Sequence, residues 1–254
     1  MFFVLVALLG PWIAPQDPYA IHPARRLEPP SANHPFGTDE VGRDVFSRLI
    51  WGARLSIGVS LLVTITSVVL GIAIGLVAGV IGGFLDELIM RLTDIFLAVP
   101  LFILAMAVTA ALGPSMTNAA IAMVIVWWPG YARQTRAQVL DVKKVLYVEA
   151  ARSIGANAFH ISIQHILPNC LDPIFVRASM TTGYIILNMA GLSFIGLGSQ
   201  PPTAEWGTMI ALARTFLLSH PWYPLLTGLP LFFTVLTFAL AGDAIQDALD
   251  VRAE

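Results

Sequence analysis

Side chains able to do covalent chemistry are few in this chain and thinly spread. The histidines stand at 22, 34, 160, 165 and 220, all outside the apolar runs. Hydrolysis inside a membrane needs a Ser–His pair, two Asp on facing helices or a His-Glu-x-x-His zinc motif, and none of these is present. G-x-x-x-x-G-K-[ST] is missing too, so the chain is not expected to hydrolyse ATP by phosphate-cradling chemistry. The single Cys170 excludes an internal disulfide and a Cys-based metal site, and reads as an inert thiol. No catalytic residue, metal site or cofactor is expected, and the chain is read as a non-enzyme.

The polar stretch 133–167 is the most informative. It reads RQTRAQVLDVKKVLYVEAARSIGANAFHISIQHIL. Val145 to Ser153 has helical periodicity. Gly155 breaks it, and Asn157 can cap a second short helix running to about His165. Pro168 and Asn169 then open the next apolar run. Such a hairpin is either a plain surface loop or a docking element for a soluble partner. A short helix gripped by a moving partner can transmit a rigid-body rotation. In that reading Glu149 supplies a charge for the partner's surface, and Ala150 and Ala151 permit close approach. Gly155 permits the reversal between helices, and Arg152 is either a further contact or an ordinary solvated charge.

Two other patterns bear on function. Gly71, Gly75, Gly79 and Gly83 recur every four residues, which on a helix stacks them along one face. Small residues let helix backbones approach closely in lipid; helix packing is the favoured role, substrate lining the other. Asp172 and Arg177 stand five apart at the start of an apolar run, and Asp243 stands at the end of another. Ionisable groups are expensive there. The first two could pair, bind a neighbouring helix or line a path, and a structural or interfacial role is favoured for all three.

These residues must be positioned by a membrane protein. Of the 254 residues, 57% are hydrophobic and 12% charged, against about 25% charged in soluble domains. The net charge of -2 argues against nucleic acid, which needs clustered Lys and Arg. Apolar residues fall in runs near the ~20 residues that cross a bilayer. The run 1–14 is short and lacks the basic start of a signal peptide. Pro11 and Pro15 close it, so it reads as a partial first transmembrane helix. Residues 15–55 form a polar, Pro-rich segment expected to end in an interfacial amphipathic helix from about Arg43. Further spans are expected at 56–81, 95–112 with a kink at Pro100, 117–132, 173–197 and 224–241. Trp127, Trp128 and Tyr131 read as an interfacial aromatic belt. Trp206 and the Pro-rich 198–224 stretch read as a gate or re-entrant loop. Arg and Lys are balanced between 15–54 and 133–167, so charge counting does not orient the chain.

Glu149-Ala150-Ala151, with Gly155 four residues later and Leu167-Pro168 at the far end, resembles the EAA loop of binding-protein-dependent ABC importer permeases. His34-Pro35-Phe36-Gly37-Thr38-Asp39 with Gly42-Arg43-Asp44 and Ser47-Arg48 is similar to the dipeptide, oligopeptide and nickel subgroup of that family. So are Leu192–Gly198 with Pro201–Gly207, and Gly242-Asp243 with Asp247–Asp250. His165 departs from the apolar residue usual before Leu167-Pro168.

This resemblance implies an all-α, polytopic membrane protein with about six transmembrane helices, the first truncated, in the type I ABC importer (MetI-like) permease fold. It implies residence in a bacterial inner membrane, a cytoplasmic coupling loop at about 141–168 within a 56–254 permease domain, and periplasmic 15–55 and 198–223. Implied partners are ATP-binding subunits, a second homologous permease, a periplasmic or lipid-anchored substrate-binding protein and membrane lipid. Peptide is the implied cargo, with nickel or glutathione as alternatives. A self-contained secondary transporter is the competing class. It would show inverted repeats and a buried ion site, and no repeat is visible.

Overall fold

The computed structural model describes residues 2–250, with side chains at 5–10 and 12–248. Met1 and 251–254, the outer ends of the expected first and last segments, lie outside the described residues. The described chain is almost entirely helical, its one β feature being an isolated bridge between Thr38 and Asp44. The helices are α1 (Phe2–Ile13), α2 (Val45–Ile81), α3 (Gly83–Ala98), α4 (Leu101–Leu112), α5 (Met116–Val142), α6 (Leu146–Ser153), α7 (Ala158–Ile161), α8 (Leu167–Phe194), α9 (Trp206–Ala213) and α10 (Trp222–Asp250). By length and composition α2 and α10 can each cross a membrane, and α3 with α4 makes a third candidate if the bent pair is one span. Helices α1, α2, α4, α5, α8 and α10 lie over the six expected segments in order, the 95–112 segment being shared between the end of α3 and α4, and α1 has 12 residues.

Several expectations are corrected. The polar segment does not end in a separate interfacial helix: α2 runs unbroken for 37 residues, about 56 Å at 1.5 Å per residue. Its first turns, polar at Ser47 and Arg48, are one piece with the apolar span. Pro100 makes a break rather than a kink. Proline disfavours the α conformation in the residue before it. Val99 is extended at φ -91°, ψ 134°, and α3 and α4 meet at 91°. α5 does not stop at an aromatic belt: it continues to Val142, and Tyr131 is fully buried against Val68 and Ile174. Gly83 is off the glycine stripe, because α2 ends at Ile81 and both Gly82 and Gly83 have positive φ.

Two compact bodies form, one of Met1–Leu62, Met106–Ala122 and Thr182–Phe238, the other of Val63–Ala105, Met123–Thr181 and Ala239–Glu254. The first has an apolar core of Val45, Leu49, Ala53 and Ile57 from α2 with Trp206, Met209 and Tyr223. Beside it lies a buried polar cluster. Arg43 Nε donates to Asp39 Oδ2 at 2.6 Å, and Arg48 donates to the Pro18 and Pro202 carbonyls at 2.9 and 3.2 Å. Trp206 is buried, its indole N–H bonded to the Leu49 carbonyl at 2.9 Å. The Glu205 carboxylate caps α9, accepting from the backbone N–H groups of Gly207 and Thr208 at 2.9 and 2.8 Å. Among the described residues the 198–206 stretch is therefore pinned to the first turns of α2.

Candidate functional site

The hairpin 146–166 belongs to the second body. α6 ends in a Schellman closure: the Ala156 N–H reaches the Ala151 carbonyl at 3.1 Å and the Gly155 N–H reaches Arg152 at 3.1 Å. Gly155 occupies the left-handed position this motif requires, φ +86°, with open space where a Cβ would stand. Asn157 caps the next helix, its side-chain oxygen accepting from the His160 N–H at 2.7 Å. The second arm does not end at His165. A π-helical turn, Ser162–Ile166, carries it directly into α8. Pro168 has no N–H to offer the preceding turn and its ring crowds the carbonyl four residues back, which accounts for the widened turn.

Of the hairpin residues singled out above, Glu149, Ala150, Arg152 and Gly155 are exposed. The Glu149 carboxylate has no ion-pair partner among the described residues. Ala151 is turned inward. It packs with Val148, Ile161, Ile166, Cys170 and Val139 in a core that welds both arms of the hairpin to α5 and α8. The exposed face carries large apolar side chains instead: Leu146 is 79% exposed, Ile154 87% and Phe159 77%. The hairpin thus exposes an unpaired carboxylate and three large apolar side chains, the composition of a candidate docking face.

The hairpin is braced against α2 through α5. Cβ atoms built at Gly71, Gly75 and Gly79 would stand 2.3 Å from Tyr131 Cβ, 2.4 Å from the Ala132 carbonyl and 2.7 Å from Val139 Cγ1. The contacts climb both helices together, so α2 and α5 run parallel here at near-backbone contact. Lys143, the residue just after α5, extends its four-residue ladder 131, 135, 139. Its ammonium donates to the Gly79 and Val80 carbonyls at 2.9 and 3.0 Å. These are end carbonyls of α2 that lack helical partners, and a cation also suits that end of the helix dipole. Arg136 forms a two-pronged ion pair with Asp86 of α3 at 2.6 and 2.7 Å, and Arg133 pairs with Asp94. Sequence reading missed Lys143 and Arg136 as positioning residues. The available signal was their placement on the α5 register that faces the glycines.

Asp172 and Arg177 do not pair with each other. Arg177 turns to α5, donating to the Gly130 carbonyl at 3.1 Å and Gln134 Oε1 at 3.2 Å, and lies 5.2 Å from the Tyr131 ring centre.

Comparison with known proteins gives this arrangement a family. Residues 71–254 match the model described as binding-protein-dependent transport system inner membrane component, and 1–30 match the N-terminal TM domain of oligopeptide transport permease C. The chain is 46% identical, over 100% of its length and 85% of the relative, to a probable D,D-dipeptide transport system permease protein, DdpC, of Escherichia coli K12. It is 47% identical to the dipeptide transport system permease protein DppC of the same strain, over 98% of this chain and 85% of that one. The DppC of Alkalihalophilus pseudofirmus is 42% identical over 98% and 82%. Among solved structures, an inward-facing MetNI methionine ABC transporter superposes with a TM-score of 0.64 at 18% identity, covering 79% of this chain and 95% of the other. With full-length similarity and a matching fold, this chain is a multi-pass inner-membrane permease that belongs to the binding-protein-dependent transport system inner membrane component family.

Proposed function

We propose that this chain is one of two permease subunits of an ABC importer that carries di- or oligopeptides across the inner membrane. Separate subunits hydrolyse the ATP, and a periplasmic or lipid-anchored binding protein delivers the cargo. The observation that carries the peptide reading is identity of 42–47% over nearly the whole chain to permeases of dipeptide systems. Nickel and glutathione are alternative cargoes of the same role. The chain itself contributes no hydrolytic step. Its part is mechanical, and the residues that carry it are Glu149, Ala150, Arg152 and Gly155 on the docking face of the hairpin. Segments 15–55 and 198–223 face the binding protein, and 141–168 faces the ATP-binding subunits. Gly71, Gly75 and Gly79 keep α2 and α5 in register, so a push on the hairpin moves the helices as one body.

The test is uptake into proteoliposomes holding this chain, its partner permease, the ATP-binding subunits and the binding protein. ATP-dependent accumulation of a labelled dipeptide, abolished when any component is left out, is the expected result. Accumulation driven by an ion gradient without ATP would instead establish a secondary transporter. Uptake of nickel or glutathione but no peptide would reassign the cargo.

A further inference from the structure

The arginines that precede the hairpin in the second body are neutralised by acids: Arg91 pairs with Glu87, Arg133 with Asp94 and Arg136 with Asp86. Arg177 is the exception within the apolar run. It lies one turn inside the run that begins at Pro173, ten residues along α8 from Leu167, or about 15 Å of helix. Its side chain is half-buried, and among the described residues no carboxylate lies within ion-pairing distance. Two neutral oxygens, the Gly130 carbonyl and Gln134 Oε1, accept from a single nitrogen, Nη1. A guanidinium has five N–H groups in a planar fork, so Nε and Nη2 keep unused donors.

The surroundings hold that fork in place. A Cβ on residue 130 would stand 2.5 Å from Arg177 Nη2, so the absence of a side chain at Gly130 makes the room. The Tyr131 ring lies 5.2 Å from the guanidinium carbon, an arrangement that favours a cation. The Gln134 amide is itself fixed, donating through Nε2 to the Pro173 carbonyl at 2.9 Å. A uniquely oriented, uncompensated cation in an apolar segment is costly unless an anion visits it.

We propose that Arg177 is a carboxylate-binding subsite. Its free Nε and Nη2 edge receives the C-terminal carboxylate of the cargo peptide near the hairpin end of α8. Planar guanidinium and planar carboxylate match through two parallel hydrogen bonds. The assignment rests on the peptide cargo proposed above.

The complete complex in proteoliposomes tests it, with cargo and binding protein saturating so that the rate reports steps beyond capture. The probes are a labelled dipeptide and its C-terminal amide. Arg177→Gln is expected to slow the free-acid peptide by at least about tenfold, the loss of one charge-assisted hydrogen bond. The amide is expected to slow less than about twofold by the same measure. Arg177→Lys, which keeps the charge but not the fork, is expected to fall between, and it decides the matter if the Gln variant does not assemble. Equal slowing of both cargoes would make Arg177 a plain brace between α5 and α8 and overturn the subsite, as would no slowing of either. If the wild-type complex moves no peptide at all, the cargo reading fails and the subsite falls with it.

Discussion

Gly155 shows how much function can rest on one dihedral. Nothing lies within 4 Å of where its Cβ would be, so a side chain meets no obstacle there. The demand is the backbone's alone, φ +86°. Proline cannot adopt that angle, and Gly155→Pro should abolish transport while leaving membrane insertion intact. Normal substrate-stimulated ATPase activity in that variant, reconstituted with its partners, would refute the coupling role. Gly155→Asn, which tolerates the left-handed region, should keep most of the uptake rate. Cys170 illustrates the opposite case. Its thiol is fully buried in the core beneath the hairpin. Maleimide should label it only after denaturation, and stoichiometric labelling of the native protein in detergent would contradict that packing.

At the scale of elements, the contact between α2 and α5 is set by absence of side chains. Gly75 faces the Ala132 carbonyl at 2.4 Å from a would-be Cβ, and a backbone atom cannot swing aside. Gly75→Val should therefore lower the thermal midpoint in detergent by several degrees, the effect of about 1–3 kcal/mol of overpacking. Gly58 lies on the same helix with nothing within 4 Å. Gly58→Ala should be neutral or raise the midpoint slightly, by up to about 1 kcal/mol. Equal midpoints for the two variants would show that the close approach does not matter. Lys143 adds the polar half of the same joint. Lys143→Met keeps the stem but leaves the Gly79 and Val80 carbonyls without their donor. Uptake per ATP hydrolysed should fall, and Lys143→Arg should restore much of it. An unchanged ratio in the Met variant would remove Lys143 from the transmission path. The glycine spacing was readable because a period of four marks one helix face. Gly83 shared the spacing and still fell off the face, because α2 ended two residues earlier. The adjacent Gly82 and Gly83, both at positive φ, mark that helix end locally, whereas the Lys143 contact that satisfies its carbonyls leaves no trace in local periodicity.

Across the whole molecule, hydropathy, four short motifs and the break at Gly155 were legible from residue order. Each is a local property: apolar runs report the solvent, and caps and glycines report the backbone within a few residues. The order of the helices and the position of the hairpin follow from such signals, and the class of protein from the resemblance the motifs carry. Three-dimensional packing alone established the rest. Ala151 faces inward and Ala150 outward because the hairpin core of Val148, Ile161 and Ile166 has a definite side. Tyr131 is core rather than belt because α5 continues past it against Val68 and Ile174. Arg177 turned from Asp172 to the Gly130 carbonyl, and Arg136 found Asp86 fifty residues away. Charge partners and buried faces depend on which helices meet, and that is settled by long-range contacts no window of sequence contains.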